Sequence, residues 1–350
     1  MGDPDLPTPD WIIEAMIRAV KDPKNHCYPP YAGTRDFKTA IAEWYKNRFS
    51  VKLDPDTEVI VLTGAKEGIA HIPLAFIDNG DSVLVPTPAY PVYNVGTLFA
   101  GGEPYFLPLI KENGFLPDLS SIPEEIALKA KMMWLNYPNN PTSAVAGKDF
   151  FEAAVEFAHK YNILICNDVT YSEIAFDGYK PISLLEIEGA KDVGIEFHSL
   201  SKSYNMTGWR IAFAVGNKEA VQGLGSIKSN VDSGLFTAIQ AAGIEALKNH
   251  KEHIINLIKI YTGRRDIMVN SLRNAGFEID PPKATFYLWV PVPQSFTSVE
   301  LATKLLTEAG VVVTPGNGFG EPGEGYIRIA LTRDEKRLLE AAKRIKAIGL

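Results

Sequence analysis

The chain has 350 residues, 46% of them apolar and 22% charged, with a formal net charge of −7 and a sequence pI near 5.5. This is the balance of a soluble globular protein, long enough for one large domain or two ordinary ones. It excludes nucleic acid or an anionic membrane as the main partner, since both need a basic face, but not a small anionic ligand held by a local cluster of cations. The two cysteines, Cys27 and Cys166, form neither a disulfide scaffold nor a zinc-ligand spacing and fit a reducing cytoplasm. No apolar run reaches the ~18 residues of a membrane helix. The acidic, proline-rich start "MGDPDLPTPD" is not a signal peptide, and Leu6 breaks a myristoylation motif.

In chain order, "PTPDWIIEAMIRAVKD" predicts a helix capped by Thr8 with Pro9 in its first turn, and "TRDFKTAIAEWYKNRF" a second amphipathic helix. Strands and helices then alternate. "EVIVLTG" is a strand and "AKEGIAHIPLAFI" a helix; "DSVLVPTP" is a strand and "AYPVYNVGTLFAGG" a helix, with Tyr90 at its start. "GEPYFLPL" and "KMMWLNYP" are strands, "KDFFEAAVEFAHKYN" a helix, and "ILICNDV", "GIEFHSLSK" and "RIAFAVGN" strands. From about Gly234 to Ala275 the pattern is long and helical. "FYLWVPVP", "VVVTPG" and "YIRIAL" then read as strands, with "SVELATKLLTEAG" and "RDEKRLLEAAKRIKAI" as helices. Short apolar strands separated by helices predict an α/β fold: a large domain with a mostly parallel sheet flanked by helices, plus a smaller α+β C-terminal domain. The expected division is 41–245 for the large domain and 1–40 with 246–350 for a discontinuous small one.

Ligands in such sheets bind beyond the carboxyl ends of the strands, and there the unusual residues gather. Ala65 and Lys66 follow the first strand, where backbone N–H groups at a helix start can meet an anion. Tyr90 follows the next, Asn140 the "NYPNNPT" turn, and Asp168 and Tyr171 the strand "ILICND". Ser199, Ser201 and Lys202 come next, then Arg210, with Arg328 in "YIRIAL". Each has an ordinary structural role open to it: a turn cap for Asp168, an Asx-turn for Asn140, core for Tyr90, a solvated stem for Lys202, a surface pair for Arg328. Two tempting motifs fail. Ser199-x-x-Lys202 matches the S-x-x-K of penicillin-binding enzymes, but K-T-G and K-S-G are missing and the serine follows a strand rather than starting a helix. "GNGFGEPGEG" lacks the dinucleotide spacing and reads as a flexible loop. Jointly, an anion cradle, a stacking ring, a carboxylate, amide and hydroxyl donors and a lysine suit pyridoxal 5'-phosphate. Gly208 is expected to turn the chain so that Arg210 enters the next strand aimed at the same anion.

The phrases "YPPYAG", "TGAKEG", "NYPNNPT", "DVTYSEI", "SLSKSYNMTGWR" and "YIRIAL" occur in the order found in fold-type I pyridoxal-phosphate aminotransferases of class I/II, which the chain resembles from Gly2 to about Leu331. "EFHSLSKSYNMTGWRIAFAVGN" and "YSEIAFDGYKP" look most like the LL-diaminopimelate aminotransferases within that family. The resemblance implies a ping-pong enzyme moving an amino group between an amino acid and a 2-oxo acid, with LL-diaminopimelate and 2-oxoglutarate as the expected pair. Aspartate/alanine-type transamination and carbon–sulfur lysis are the alternatives; a non-catalytic regulator would need a DNA-binding domain for which the chain has no room. It further implies that Lys202 joins the cofactor's aldehyde and that Asp168 partners its ring nitrogen. Asn140 and Tyr171 would donate to its phenolate oxygen, and Tyr90 would stack on its ring. Ser199, Ser201, Arg210 and the backbone of Ala65 and Lys66 would hold its phosphate. Arg328 would fork onto the substrate carboxylate, with Gly2 and Asn140 beside the substrate and Lys66 a candidate for a distal carboxylate. Tyr28 would reach the phosphate of a neighbouring subunit, which implies a homodimer with shared sites. Family members usually carry a few dozen residues before "GDPDLPTP", whereas this chain begins at Met1-Gly2.

Overall fold

In a computed structural model, residues 2–248 and 250–349 are described; Met1, Asn249 and Leu350 lie outside them. Seven strands form the large sheet: β1 Val59–Leu62, β2 Ser82–Thr87, β3 Glu103–Pro108, β4 Ala130–Leu135, β5 Leu164–Asp168, β6 Gly194–Ser199 and β7 Ala212–Gly216. Their spatial order is β1-β7-β6-β5-β4-β2-β3. β7 runs antiparallel to both neighbours, and the other pairings are parallel. The start of β7 therefore lies at the edge where the other strands end, which brings Arg210 beside Ser199. The apolar runs are buried throughout β1, β2, β6 and β7, whereas the edge strand β3 is largely exposed and carries Pro104 and Pro108, which deny an incoming strand two donors.

Among the described residues, α-helical segments surround the sheets: α1 Asp10–Val20, α2 Arg35–Phe49, α3 Ala65–Phe76, α4 Val92–Phe99, α5 Glu124–Lys129, α6 Lys148–Tyr161, α7 Ala190–Val193, α8 Leu200–Ser203, α9 Lys218–Val231, α10 Thr237–Lys248, α11 His250–Arg273, α12 Ser298–Ala309 and α13 Glu335–Ala347. Alternation of side chains along each strand divides the core. Ile60 and Leu62 face α3, α4 and α9, whereas Val59 and Val61 face α2, α10 and Ile12 of α1. A second sheet, β8 Tyr287–Pro291, β9 Thr314–Pro315 and β10 Tyr326–Ala330, is antiparallel in the order β8-β10-β9. Its core joins α11, α12 and α13 to Tyr171, Ile174 and Phe176, which follow β5. The N-terminal segment reaches this sheet through Leu6 and through a two-toothed pair between Arg264 and Asp5 at 2.6 and 3.0 Å.

Several elements differ from expectation. Thr8 does not cap α1: Pro9 occupies the cap position without a side-chain bond, and the Thr8 hydroxyl donates instead to Asn205 O at 2.8 Å. The strand "GIEFHSLSK" stops at Ser199, whose hydroxyl accepts from Ser201 N at 3.1 Å and caps the single turn α8 that carries Lys202. Ser199 therefore both ends β6 and caps the turn that follows it. Gly208 is not the left-handed residue of the following turn; Asn205 and Arg210 are, with φ of 54° and 57°. Tyr90 precedes α4 by two residues, and Val311–Val313 lie outside β9. The long helical run is α10 and α11, with Asn249 between them outside the described residues. α9, which the sequence pattern did not predict, precedes both.

Candidate active site

Beyond the strand ends lies a cavity of about 450 Å³ bordered by the ends of β1, β2, β4, β5, β6 and by the small sheet. Lys202 stands in it because α8 lifts the side chain off the end of β6. Its Nζ donates to Gly2 O at 3.0 Å. Burial lowers its pKa to about 8; attraction to Asp3 and Asp168 opposes the shift, and repulsion from Arg210 and Arg328 adds to it. Asp168 closes β5 and is buried. One of its oxygens accepts from Tyr93 Oη at 2.8 Å, the other from Thr170 N and Oγ1 at 3.1 and 2.6 Å. Burial raises the Asp168 pKa and these donors pull it back.

Four groups form an anion cradle at the β1–α3, β6–α8 and α8–β7 junctions. α3 opens at Ala65 and Lys66, its dipole positive toward the cavity. Gly64 (φ 86°) leaves room there: a Cβ on it would sit 2.2 Å from Arg210 Nη2. Ser199, Ser201 and Arg210 line the same space, and Arg210 Nη1 is steadied by Thr207 O at 2.8 Å. Tyr90 forms one wall, with Lys66 Nζ 6.0 Å from its ring centroid.

On the opposite side, Arg328 of β10 lies between two rings, 4.2 Å from the Tyr287 centroid and 4.6 Å from that of Phe319. Its Nη1 donates to Asn140 Oδ1 at 2.6 Å, and its buried Nε has no partner among the described residues. A guanidinium held on both faces and at one nitrogen, with another donor open, is prepared for a carboxylate. Tyr171 Oη lies 3.0 Å from Tyr287 Oη, and burial pushes the Tyr171 phenol well above its ordinary range. Gly2 also lines the cavity and packs so closely on Tyr287 that a Cβ would fall 1.9 Å from its oxygen.

All the expected site residues except Tyr28 therefore meet in one cavity. Tyr28 is 87% exposed and does not line it. Sequence reasoning missed Tyr93, Thr170, Tyr287 and Phe319, as well as Asn136, which joins two strand ends by donating to Asp168 O at 2.6 Å and accepting from Asn140 N at 2.8 Å. Asn136 had a visible signal, an amide at the end of an apolar strand. Tyr93 and Tyr287 had none, because each sits in a run that reads as core. Phe319 belongs to the glycine-rich segment expected to be a flexible loop; that segment is packed, since a Cβ on Gly316 would fall 2.0 Å from Gly323 O and one on Gly320 2.1 Å from Thr87 Oγ1.

A sheet of this order, with a lysine, a buried carboxylate and an anion cradle at one edge, defines the fold-type I class of pyridoxal-phosphate proteins. Within that class, the profile of the aminotransferase class I and II family matches residues 1–345, and the chain belongs to that family. It is 56% identical to the LL-diaminopimelate aminotransferase of Syntrophobacter fumaroxidans and 57% identical to that of Aquifex aeolicus, in each case over 100% of this chain and 90% of the relative. Among solved structures, substrate-bound BacF from Bacillus subtilis superposes with a TM-score of 0.97 at 42% identity, covering 100% of this chain and 89% of that one. The chain is an aminotransferase, and its cofactor is pyridoxal 5'-phosphate. The residues present fit that group: Gly64 opens the cradle that a Cβ would fill, and Arg328 keeps a buried donor free for the carboxylate of a reactant. Among the described residues no helix is long and apolar enough to cross a membrane.

Proposed function

We propose that this aminotransferase exchanges an amino group between LL-diaminopimelate and 2-oxoglutarate in a ping-pong cycle. One observation carries the substrate class: the cavity holds two cations outside the Ser199–Arg210 cradle, Arg328 on one side and Lys66 on another. Such a site suits a reactant with a carboxylate at each end, which both members of the pair have. The curated relatives named above support the particular donor.

In this reading Ser199, Ser201, Arg210 and the N–H groups of Ala65 and Lys66 hold the cofactor phosphate. Tyr90 would cover the ring, Asp168 would partner the ring nitrogen, Asn140 and Tyr171 would donate to the phenolate oxygen, and Lys202 would be the amine that faces the aldehyde. When bound, the cofactor supplies the electron sink that makes a Cα proton removable. Arg328 orients the donor by its α-carboxylate, with Gly2 and Asn140 alongside. Lys202 Nζ, whose ammonium form is disfavoured by burial, could accept the Cα proton and deliver it to the carbon that carries the cofactor's aldehyde. Lys66 receives the distal carboxylate.

The exposure of Tyr28 supports a homodimer in which that phenol serves the partner's phosphate site. We also propose the division into 41–245 and 1–40 with 246–350; the Arg264–Asp5 pair and Leu6 support the N-terminal link to the small sheet, while Ile12 of α1 packs on the large one. A cytoplasmic setting fits the two unpaired cysteines. Incubation of the loaded enzyme with LL-diaminopimelate and 2-oxoglutarate should release glutamate; pyruvate and ammonia from cystathionine, with no glutamate formed, would refute the assignment in favour of a lyase.

A further inference from the structure

Tyr93 touches two walls of the cavity without lining it. It lies on α4, three residues after Tyr90, and is completely buried. Its hydroxyl donates to Asp168 Oδ2 at 2.8 Å. Its ring stacks on Trp134 of β4, with centroids 4.8 Å apart and planes 13° from parallel, and meets the Tyr90 ring almost at right angles at 5.9 Å. Thr170 occupies the other Asp168 oxygen twice, so Tyr93 holds the one that Thr170 leaves.

We propose that Tyr93 is a positioning residue for transamination: its phenol keeps Asp168 ionised and fixed in orientation toward the cofactor's ring nitrogen. The inference rests on that assignment of Asp168. Burial favours the protonated carboxyl, which could not hold a proton on a ring nitrogen; a donor to the carboxylate makes it a weaker base and opposes that preference. A hydrogen bond to a charged group is worth about 1.5–3 kcal/mol net, or roughly a tenfold to hundredfold effect on an equilibrium. The tyrosine ring is separately secured by Trp134, so removing the oxygen alone leaves the packing in place.

The test is a double-mutant cycle on the cofactor-loaded enzyme, with Tyr93→Phe, Asp168→Asn and the combination. Tyr93→Phe should lower kcat about tenfold with KM changed less than about threefold. It should also alter the visible absorbance spectrum of the loaded enzyme at fixed pH while keeping the wild-type far-ultraviolet circular dichroism. In the Asp168→Asn background the same change should do nothing further, because the group it acts through is gone. Equal losses in both backgrounds would assign Tyr93 a packing role and overturn the proposal. So would a Tyr93→Phe enzyme with wild-type kcat and spectrum beside a crippled Asp168→Asn. Full activity in Asp168→Asn itself would overturn the role of Asp168 as well, which distinguishes the two failures.

Discussion

Lys202 acquires its reactivity from burial rather than from a partner. An ammonium surrounded by Arg210, Arg328 and apolar walls is disfavoured, and neither Asp3 nor Asp168 compensates, so its pKa falls from 10.5 to about 8. In the unfolded chain the amine keeps its ordinary value. The folded cofactor-free protein therefore carries a penalty that is absent above pH 10.5, grows as the pH falls, and is complete below about 8. Lys202→Met should thus be inactive yet more stable without cofactor at pH 7, by up to about 3 kcal/mol, and this gain should shrink between pH 8 and 10.5. Urea unfolding at pH 7 and pH 10 checks this; a Met variant no more stable than wild type at pH 7 contradicts it. At this scale the sequence was most legible where chemistry stands out against an apolar run: Lys202, Asp168, Arg210 and Arg328. Tyr93 and Tyr287 were illegible because an aromatic in an apolar segment looks the same whether it fills core or holds a charged group, and Phe319 because its glycine-rich run reads as a loop. Thr8 and Asn205 were misread or unread for a related reason: their bond spans 197 positions, and no local pattern marks it.

The cradle is a property of elements rather than of single residues. α3 supplies free N–H groups, α8 presents Ser201 and Lys202, and the turn before β7 swings Arg210 back through its left-handed backbone. Gly64 is what lets these come together. Gly64→Ala should weaken cofactor affinity at least about tenfold, because the methyl would displace Arg210 and strain a φ of 86°. The fold should survive, since the crowding is local. Equilibrium dialysis of pyridoxal phosphate measures the loss, and affinity within twofold of wild type would contradict it. Strands were readable as short apolar runs, and most helices by their periodicity. α9 escaped because Gly223 and Gly225 dilute its pattern; Gly223 serves tertiary packing, since a Cβ on it would fall 2.8 Å from Phe76. α8 escaped because one turn of helix is too short to show a period.

At the scale of the whole molecule, the antiparallel insertion of β7 between β1 and β6 decides where Arg210 stands, and strand order is set by crossovers that no local run encodes. The fold class and the edge that bears the site were nonetheless visible, because chemically distinctive residues recurred at successive strand ends. If Tyr28 serves the neighbouring subunit, two inactive variants should complement each other. Lys202→Ala and Tyr28→Ala, unfolded and refolded together in equal amounts, place one intact site in each mixed dimer, so about a quarter of the wild-type rate should return. Activity no greater than that of the separate variants would contradict shared sites.

The central claim is the reaction itself, and the half-reaction tests it without a coupling enzyme. Loaded protein mixed with LL-diaminopimelate alone should lose its visible absorbance in a single turnover, faster than with aspartate, alanine or cystathionine at the same concentration, and 2-oxoglutarate should restore it. Absorbance that stays unchanged with LL-diaminopimelate, or that bleaches first with one of the other amino acids, would contradict the account.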